Sequence, residues 1–275
     1  IQKYAKNLGQ IFIVYRSSDP DFDKGYEIVK KEFCFASFYQ QPNVRAEKSF
    51  KPLVMKVSFD KKLSSANYIT YCVDDVILTD TIDWKKAIIK LQQTGAYGFF
   101  FRLGKHLDHC YMTNQDQPVP DLIDLQDKTF AWHFCQGHQD WNYPNNVDLT
   151  LYKKESIQKD LKSFYFTYPN DMEGAWAEKH KKDHLIGLCY EESKMINIPL
   201  NVVSKLQNPR NMNRYTTKKL NEMFLAGQKI DIQAFYQINN KSAHVALEPT
   251  FINRQSINIA SSVNHILKEV SPYDT

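Results

Sequence analysis

Short apolar segments alternate with helical stretches along this chain, and that alternation limits the folds open to it more than any other feature. Residues 11–15 form a continuous apolar run, and residues 67–73 and 96–103 form two more. Apolar runs of this length between polar turns are typical of buried β-strands, whereas residues 83–93 carry their apolar side chains at helical spacing. Strands that alternate with helices predict an α/β fold in which helices pack on a sheet.

The remaining segments extend this pattern. Further strands are predicted at residues 33–38, 129–135 and 147–152. Further helices are predicted at residues 25–32, 155–163, 171–179 and 216–226. We interpret residues 1–8 as the tail of a helix that Gly9 closes. A doubly wound sheet normally begins with a strand, so we expect that a first β–α unit is missing. The proline-rich segment 106–128 is predicted to be a surface loop.

Charge and hydropathy exclude two classes of partner. Lys and Arg total 35 against 31 Asp and Glu, which gives a formal net charge of +4. The sequence has no basic block of the kind that binds a phosphate backbone, so nucleic acid is not an expected partner. The apolar runs are much shorter than the about 20 residues that cross a bilayer, so no transmembrane segment is expected.

The cysteines indicate a reducing environment. The chain has 5 cysteines, which lie far apart and form no CxxC pair. A scattered, odd set in a chain of this size is typical of reduced thiols in the cytoplasm, which is the localisation that we predict.

A pair of adjacent acids is the sharpest local motif. Val73-Asp74-Asp75-Val76 closes the predicted strand at residues 67–73, and open α/β sheets bind ligands beyond the carboxyl ends of their strands. Two neighbouring carboxylates repel one another, whereas a bound Mg²⁺ or Mn²⁺ removes that repulsion. We therefore predict a divalent cation at Asp74 and Asp75. The alternative is that one of them caps a turn while the other faces water.

Two more acids follow the motif. Asp80 and Asp83 precede the helix predicted at residues 83–93. Aspartate is a preferred residue at the start of helices, because its side chain accepts a hydrogen bond from a free backbone N–H. We interpret both as N-caps of that helix.

Several segments resemble one class of enzyme. The strand that ends at the twin acids is followed by a helix and then by Tyr97-Gly-Phe-Phe-Phe-Arg-Leu-Gly104. This order is similar to the core of GT-A-type nucleotide-sugar glycosyltransferases. Later segments are similar to a group of bacterial glycosyltransferase-like proteins: Trp141-Asn-Tyr-Pro144, Val147-Asp148, Pro169-Asn-Asp-Met-Glu173 and Leu220-Asn-Glu-Met-Phe-Leu-Ala-Gly227. The resemblance covers most of the chain and implies a mixed sheet flanked by helices, as one GT-A-like domain over residues 1–275.

The resemblance also implies a ligand set. In that class, an acidic motif of the DXD kind holds a metal ion against the diphosphate of the nucleotide sugar. It implies that Asp74 and Asp75 hold Mn²⁺ or Mg²⁺, that Asp74 also contacts the donor, and that His244 is a third metal ligand. An ordinary histidine is the alternative for His244. Residues 1–105 would then be the nucleotide- and metal-binding half, and residues 129–275 the acceptor-side half.

Three further residues are predicted to bind the donor. Arg102 follows an apolar strand, where its planar guanidinium is able to reach a diphosphate or a sugar hydroxyl. The alternative for Arg102 is an ion pair with a neighbouring acid. Arg16 and Ser17 lie in the turn after the strand at residues 11–15, where a nucleobase or ribose would lie. The alternative for these two residues is an ordinary polar turn.

An inverting transferase needs a carboxylate that accepts the proton of the acceptor hydroxyl. Asp148 is our first prediction, because it lies about where GT-A enzymes place acceptor-side residues. Asp140 is the second, since it lies in a polar loop beside Trp141, whose ring is able to stack on a sugar. Glu173 is interpreted instead as part of a capping box with Asn170.

These observations predict a metal-dependent glycosyltransferase of the hexosyltransferase type. It would move a sugar from a nucleotide-diphosphate donor to an acceptor that the sequence does not identify. A second hypothesis is a non-catalytic glycan-binding or interaction module on the same fold. A nucleotidyltransferase also needs acids and a metal, but no glycine-rich loop lies near the start of this chain.

Overall fold

The computed structural model describes residues 3–43, 46–179, 184–200, 215–236 and 238–254. The α-helices in these ranges are α1 Pro20–Glu32, α2 Ala46–Phe59, α3 Trp84–Thr94, α4 Lys154–Ser163, α5 Pro169–Ala177 and α6 Thr217–Leu225. The strands are β1 Ala5–Lys6, β2 Phe12–Tyr15, β3 Ser37–Gln40, β4 Tyr68–Tyr71, β5 Val76–Leu78, β6 Ile82–Asp83, β7 Gly98–Phe100, β8 His109–Cys110, β9 Gln115–Asp116, β10 Ile123–Asp124, β11 Thr129–His133, β12 Thr150–Lys153, β13 Ile186–Tyr190, β14 Met195–Asn197, β15 Gln228–Ile230 and β16 Phe251–Asn253.

A six-stranded sheet forms the centre of the described structure. Its strand order is β10–β11–β13–β7–β12–β4. β7 and β13 run parallel, with Gly98 opposite Gly187, and the other neighbouring pairs in this sheet are antiparallel. The chain is therefore a mixed α/β protein whose sheet is flanked by helices, which confirms the predicted class at this level.

β7 and the residue after it lie in the middle of the hydrophobic core. Phe99, Phe100 and Phe101 are all fully buried. Phe100 contacts the rings of Trp132 and Tyr152 on one face, whereas Phe99 and Phe101 belong to the core on the opposite face. Large apolar side chains on both faces are typical of a central strand in a sheet that is covered on both sides.

Helices cover each face of this sheet. α3 contributes Ala87 and Leu91 to the core that contains Phe99. α4 contributes Leu161, and α5 contributes Trp176, to the core on the other face. The sheet thus lies between two helical layers, and the apolar side of each amphipathic helix is buried against it.

Only one of the two predicted N-caps of α3 is present. The Oδ1 atom of Asp83 accepts a hydrogen bond from the backbone N–H of Lys86 at 3.2 Å, which confirms that cap. Asp80 instead accepts from the backbone N–H of Thr81 and forms an ion pair with Lys194. The prediction for Asp80 is wrong because a lysine that is distant in sequence supplies a charged partner.

β2 and β3 form a separate parallel pair, which α1 connects. α1 begins at Pro20 after Asp19, whose carboxylate accepts from the backbone N–H of Asp21 at 2.7 Å. An apolar cavity of about 550 Å³ lies between β2 and β4, with Phe12 and Ile69 in its walls. In the described part of the chain, β2 and β4 each have one strand partner. The missing first β–α unit stays a prediction.

The beginning of the chain differs from its predicted structure. Residues 5–6 form β1, which pairs in parallel with β6, so the predicted helix tail over residues 1–8 is wrong wherever the structure describes it. Pairing with a distant strand overrides the local preference of this short segment. α2 was not among the predicted helices, and it contains Pro52, a residue that usually ends a helix.

The segment 106–128 is more ordered than a surface loop. β8 and β9 form a hairpin within it, and β10 pairs with β11 at one edge of the central sheet.

None of the helices in the described ranges has the length and apolar character needed to cross a bilayer. The last part of the predicted acceptor-side half, residues 255–275, lies outside the described residues.

Candidate active site

The twin acids lie between β4 and β5, and their surroundings differ. Asp74 is exposed to solvent, whereas Asp75 is partly buried. The Oδ1 atom of Asp75 accepts a hydrogen bond from Nδ2 of Asn197 at 3.1 Å. The carbonyl oxygen of Asp75 accepts from the backbone N–H of Ile198 at 3.0 Å. The pairing of β5 with β14 therefore holds Asp75 in place.

Asp148 contacts the same amide group. Its Oδ1 accepts from Nδ2 of Asn197 at 3.2 Å, and its Oδ2 lies 3.3 Å from Nε2 of His244. Asp148 is buried, and its backbone N–H donates to the side chain of Asn146 at 3.1 Å. The fold thus brings Asp75, Asp148 and His244 together from three separate parts of the chain.

His244 is positioned by backbone pairing on either side of it. The N–H of Asn197 donates to the carbonyl of Ala243 at 2.9 Å, and the N–H of Val245 donates to the carbonyl of Asn197 at 3.0 Å. Two buried atoms here, Nδ1 of His244 and Oδ1 of Asn197, have no hydrogen-bond partner among the described residues. Such atoms are uncommon in folded proteins, and each calls for a functional or structural explanation.

The charges in this cluster depend on one another. Burial alone would lower the pKa of His244, but the hydrogen bond and the charge of Asp148 outweigh it and raise that pKa. Burial alone would raise the pKa of Asp148, but His244 outweighs it and lowers that pKa. Burial and the charges of Asp148 and Asp74 raise the pKa of Asp75 to about 7. His244 and Asp148 therefore each favour the charged form of the other, whereas burial and the neighbouring acids favour the protonated form of Asp75.

A second buried ion pair involves Arg102 and Asp140. Arg102 is 1% exposed, and its guanidinium donates to Oδ1 of Asp140 at 2.7 Å and to the carbonyl of Asp140 at 3.1 Å. Burial would lower the pKa of Arg102, but the charges of Asp140 and Asp148 raise it above its usual value. This is the ion pair that the sequence left open as an alternative. Donor binding by Arg102 and catalysis by Asp140 stay predictions, and in this structure each group is engaged by the other.

Glu173 also belongs to this region. Its Oε1 accepts from the backbone N–H of Val147 at 3.0 Å, beside Asp148 in the chain. Burial and the charge of Asp148 raise the pKa of Glu173 to about 7. The predicted capping box is wrong: near the start of α5, it is Asp171 that accepts from the N–H and the hydroxyl of Thr167. α5 instead directs Glu173 toward the loop that carries Asp148.

Backbone strain lies next to two of the acids. Leu149, directly after Asp148, has a φ of 55°, and Gln139, directly before Asp140, has a φ of 50°. Residues other than glycine rarely adopt such values, and bulky ones least of all. The N–H of Leu149 donates to the carbonyl of Tyr71 at 2.9 Å, which ties the strained position to β4. Strained residues of this kind cluster at functional sites.

Three predicted residues have other contacts. Arg16 donates through Nε to Asn43 at 3.2 Å, and the hydroxyl of Ser17 donates to the carbonyl of Asp19 at 3.0 Å. These are the contacts of the ordinary polar turn that was left open, and nucleotide binding by Arg16 and Ser17 stays a prediction. Trp141 is completely buried, so the prediction that its ring stacks on a sugar is wrong.

Sequence reasoning missed the amide that joins the acids. Asn197 is the single polar residue in Met195-Ile-Asn-Ile-Pro-Leu200. A lone amide in an apolar strand must find a buried hydrogen-bond partner, and this was the available signal. The sequence did not indicate that its partners would be carboxylates from two other segments.

The fold and this cluster define an α/β protein with a largely buried acidic site at the end of β4. No family model matches the chain. Among curated proteins, it is similar to the bifunctional glycosyltransferase pgtA of Dictyostelium discoideum, with 22% identity over 156 residues. The alignment covers 53% of this chain and 19% of that protein, so this chain spans about a fifth of the length of that relative. This similarity supports a distant relationship to a glycosyltransferase.

Proposed function

We propose that this chain is a GT-A-type glycosyltransferase that transfers a sugar from a nucleotide-diphosphate donor with a divalent cation. The cluster of Asp75, Asp148 and His244 is the observation that carries this proposal. The distant similarity to a protein named as a glycosyltransferase supports the same class of reaction. A mixed sheet flanked by helices is compatible with the proposed fold.

The residues present fit a hard divalent cation. Asp74 and Asp75 offer carboxylate oxygens, which suit Mn²⁺ and Mg²⁺. His244 adds Nδ1, which is buried and lacks a hydrogen-bond partner among the described residues, and which would become a ligand when the imidazole is neutral. Within the described ranges, no three acidic, histidine or cysteine side chains already converge as a coordination set. Binding of the cation would therefore draw these ligands closer together.

The chemistry of sugar transfer explains why such a site is useful. When bound, a cation neutralises the negative charge that develops on the departing diphosphate. The hydrogen bond from Asn197 limits the positions that the Asp75 carboxylate is able to adopt. The buried Asp148–His244 pair acts on the carboxyl group of Asp75, because Asp148 raises the pKa of Asp75 and His244 lowers it. A carboxylate at the site accepts the proton of the attacking acceptor hydroxyl.

The central test is nucleotide binding by Asp75→Asn. Calorimetry with uridine diphosphate and Mn²⁺ is expected to show a loss of about 100-fold or more in affinity, which corresponds to about 2.7 kcal/mol. The asparagine keeps the size of the side chain and an oxygen for Asn197, so the fold should be retained. Asp121→Asn, the same change at an exposed position, is the matched control and should bind as the unmodified protein does.

Two results would contradict the proposal in different ways. Unchanged affinity in Asp75→Asn, with binding by the unmodified protein intact, removes the metal site. A thermal shift panel with nucleotides, Mn²⁺ and free glycans tests the wider claim. Stabilisation by free glycans alone favours a non-catalytic glycan-binding module, whereas stabilisation by nucleotide that requires Mn²⁺ supports the enzyme.

A further inference from the structure

The carboxylates around the site differ in what their oxygens contact. Asp148 uses both oxygens, one on an amide and one on an imidazole. Asp140 has one oxygen on Arg102, and its other oxygen is enclosed by the protein. Glu173 is half-buried and has Oε1 on the N–H of Val147, whereas no described residue donates a hydrogen bond to its Oε2. Glu173 is thus anchored through one oxygen and open through the other.

Glu173 is mounted on a rigid part of the molecule. Met172 and Trp176 hold the inner side of α5 in the core. The carbonyl of Trp176 accepts from Nδ2 of Asn145 at 2.7 Å, and Val147 donates to Glu173 itself. Two hydrogen bonds therefore fix α5 to the loop that carries Asp148. Side chains that are held in this way keep their geometry during a reaction.

Charged and titratable groups from several elements act on Glu173. Asp148 opposes its ionisation, while Arg102 and His244 favour it. The charge of Glu173 in turn contributes to the raised pKa values of Tyr143 and Tyr152. Burial and Asp148 outweigh the cations, and the pKa of Glu173 rises to about 7. A carboxylate with a pKa near the working pH is well suited to general-base catalysis.

We propose that Glu173, and not the sequence-based choice Asp148, is the general base of this site. This inference rests on the proposed glycosyltransferase function. The acceptor oxygen forms a bond to the anomeric carbon while the bond from that carbon to the diphosphate oxygen breaks. The diphosphate leaves with the electron pair, and the hydroxyl proton passes to Oε2 of Glu173. Solvent then takes this proton from Glu173 and regenerates the carboxylate.

The test compares Glu173→Gln with Glu178→Gln. The amide of Glu173→Gln still accepts from Val147 but takes up no proton, while Glu178 is exposed at the end of the same helix. The assay follows nucleoside diphosphate release from uridine and guanosine diphosphate sugars with Mn²⁺, with water as the acceptor. Glu173→Gln is expected to lose about 10²- to 10⁴-fold in kcat. Its affinity for uridine diphosphate with Mn²⁺ should be unchanged, and Glu178→Gln should match the unmodified protein.

A third variant keeps the result interpretable if Glu173→Gln does not fold. Glu173→Asp retains a carboxylate on a shorter side chain, and it should keep activity between that of Glu173→Gln and that of the unmodified protein. The rate of the unmodified protein should also rise with pH through about 7, because the base must be deprotonated. This rise should be weaker in Glu173→Gln.

Failure of this inference differs from failure of the proposed function. A folded Glu173→Gln that keeps kcat within about threefold, well below the 10²-fold loss of a missing base, overturns the role of Glu173 alone. If the unmodified protein binds no nucleoside diphosphate and releases none from any donor, the proposed function falls, and the role of Glu173 falls with it.

Discussion

Asp74 and Asp75 are neighbours in sequence but differ in burial, and this difference determines which of the two carboxyl groups is desolvated. Asp74 faces solvent, whereas Asp75 lies beside Asp148 and accepts from Asn197. Burial and the neighbouring acids raise the pKa of Asp75 to about 7. In the unfolded chain, an aspartate loses its proton near pH 3.9. This difference makes the stability of the fold depend on pH.

We expect metal-free protein to lose stability as pH rises from about 5 to about 7.5. In this window, the folded state binds more protons than the unfolded chain, so the free energy of unfolding falls. Asp75 alone would account for about 2 kcal/mol of the decrease. Glu173 and His244 act in the same direction, because their pKa values are also raised. The lowered pKa of Asp148 gives stability that is already nearly complete at pH 5.

Urea unfolding in the presence of a chelator measures this dependence. Asp75→Asn should reduce the decrease between the two pH values, while Asp121→Asn, the same change at an exposed position, should preserve it. Equal slopes in all three proteins would show that Asp75 is not protonated in the folded state near neutral pH.

At the scale of the elements, two glycines show what packing requires of a strand and a helix. Gly187 in β13 lies directly against the indole of Trp132, and a Cβ atom added there would lie 2.4 Å from a ring carbon. Gly174 lies in α5, where an added Cβ would meet nothing within 4 Å. The strand therefore needs its glycine for close approach, whereas the helix has no such need.

Gly187→Ala and Gly174→Ala should therefore change stability in opposite directions. The first should lower the free energy of unfolding by about 1–3 kcal/mol or more, because the core must move to accept a methyl group. The second should raise it by about 0.5–1 kcal/mol, because alanine has the higher helix propensity. Denaturant midpoints give both values, and a tolerated Gly187→Ala would mean that Trp132 has free space to move.

At the scale of the whole molecule, one sheet connects two separate cores. Leu91 of α3 belongs to the core on one face, and Leu161 of α4 belongs to the core on the other. β7 contributes to both cores. Phe100 packs in the core that α4 and α5 cover, and Phe99 packs in the core that α3 covers. Both layers therefore pack on the same central strands, and among the described residues the two core clusters have no member in common.

Leu91→Ala and Leu161→Ala should each destabilise the protein by about 2–5 kcal/mol. Because a sheet separates the two positions, the effects should add within about 0.5 kcal/mol in the double variant. Equilibrium unfolding of the four proteins measures the coupling free energy. A value well above this limit would show that the two cores interact through the sheet.

Local patterns in the sequence predict the class of fold and five of the six described helices, but fewer than half of the described strands. Apolar runs and helical periodicity predict β2, β4, β7, α3 and α4 close to their observed positions, because these patterns reflect burial on one or two faces of a local element. The sequence also placed Asp75 at the end of a strand, since polar residues after an apolar run mark that end. Pro52 within α2 and β1 at the beginning of the chain show the limit, because tertiary contacts overrule local preference there.

Which polar groups meet depends on contacts between segments that are distant in sequence. Asn197 is 122 residues from Asp75 and 49 from Asp148, and no local pattern encodes such contacts. Glu173 had a plausible local role as a cap, but the packing of α5 turned it toward Val147. The position of Arg102 after an apolar strand predicts contact with a ligand, but in the folded protein Arg102 forms an ion pair with Asp140. Hydrogen bonds and ion pairs between distant segments depend on strand register and helix packing, which arise only when the chain has folded.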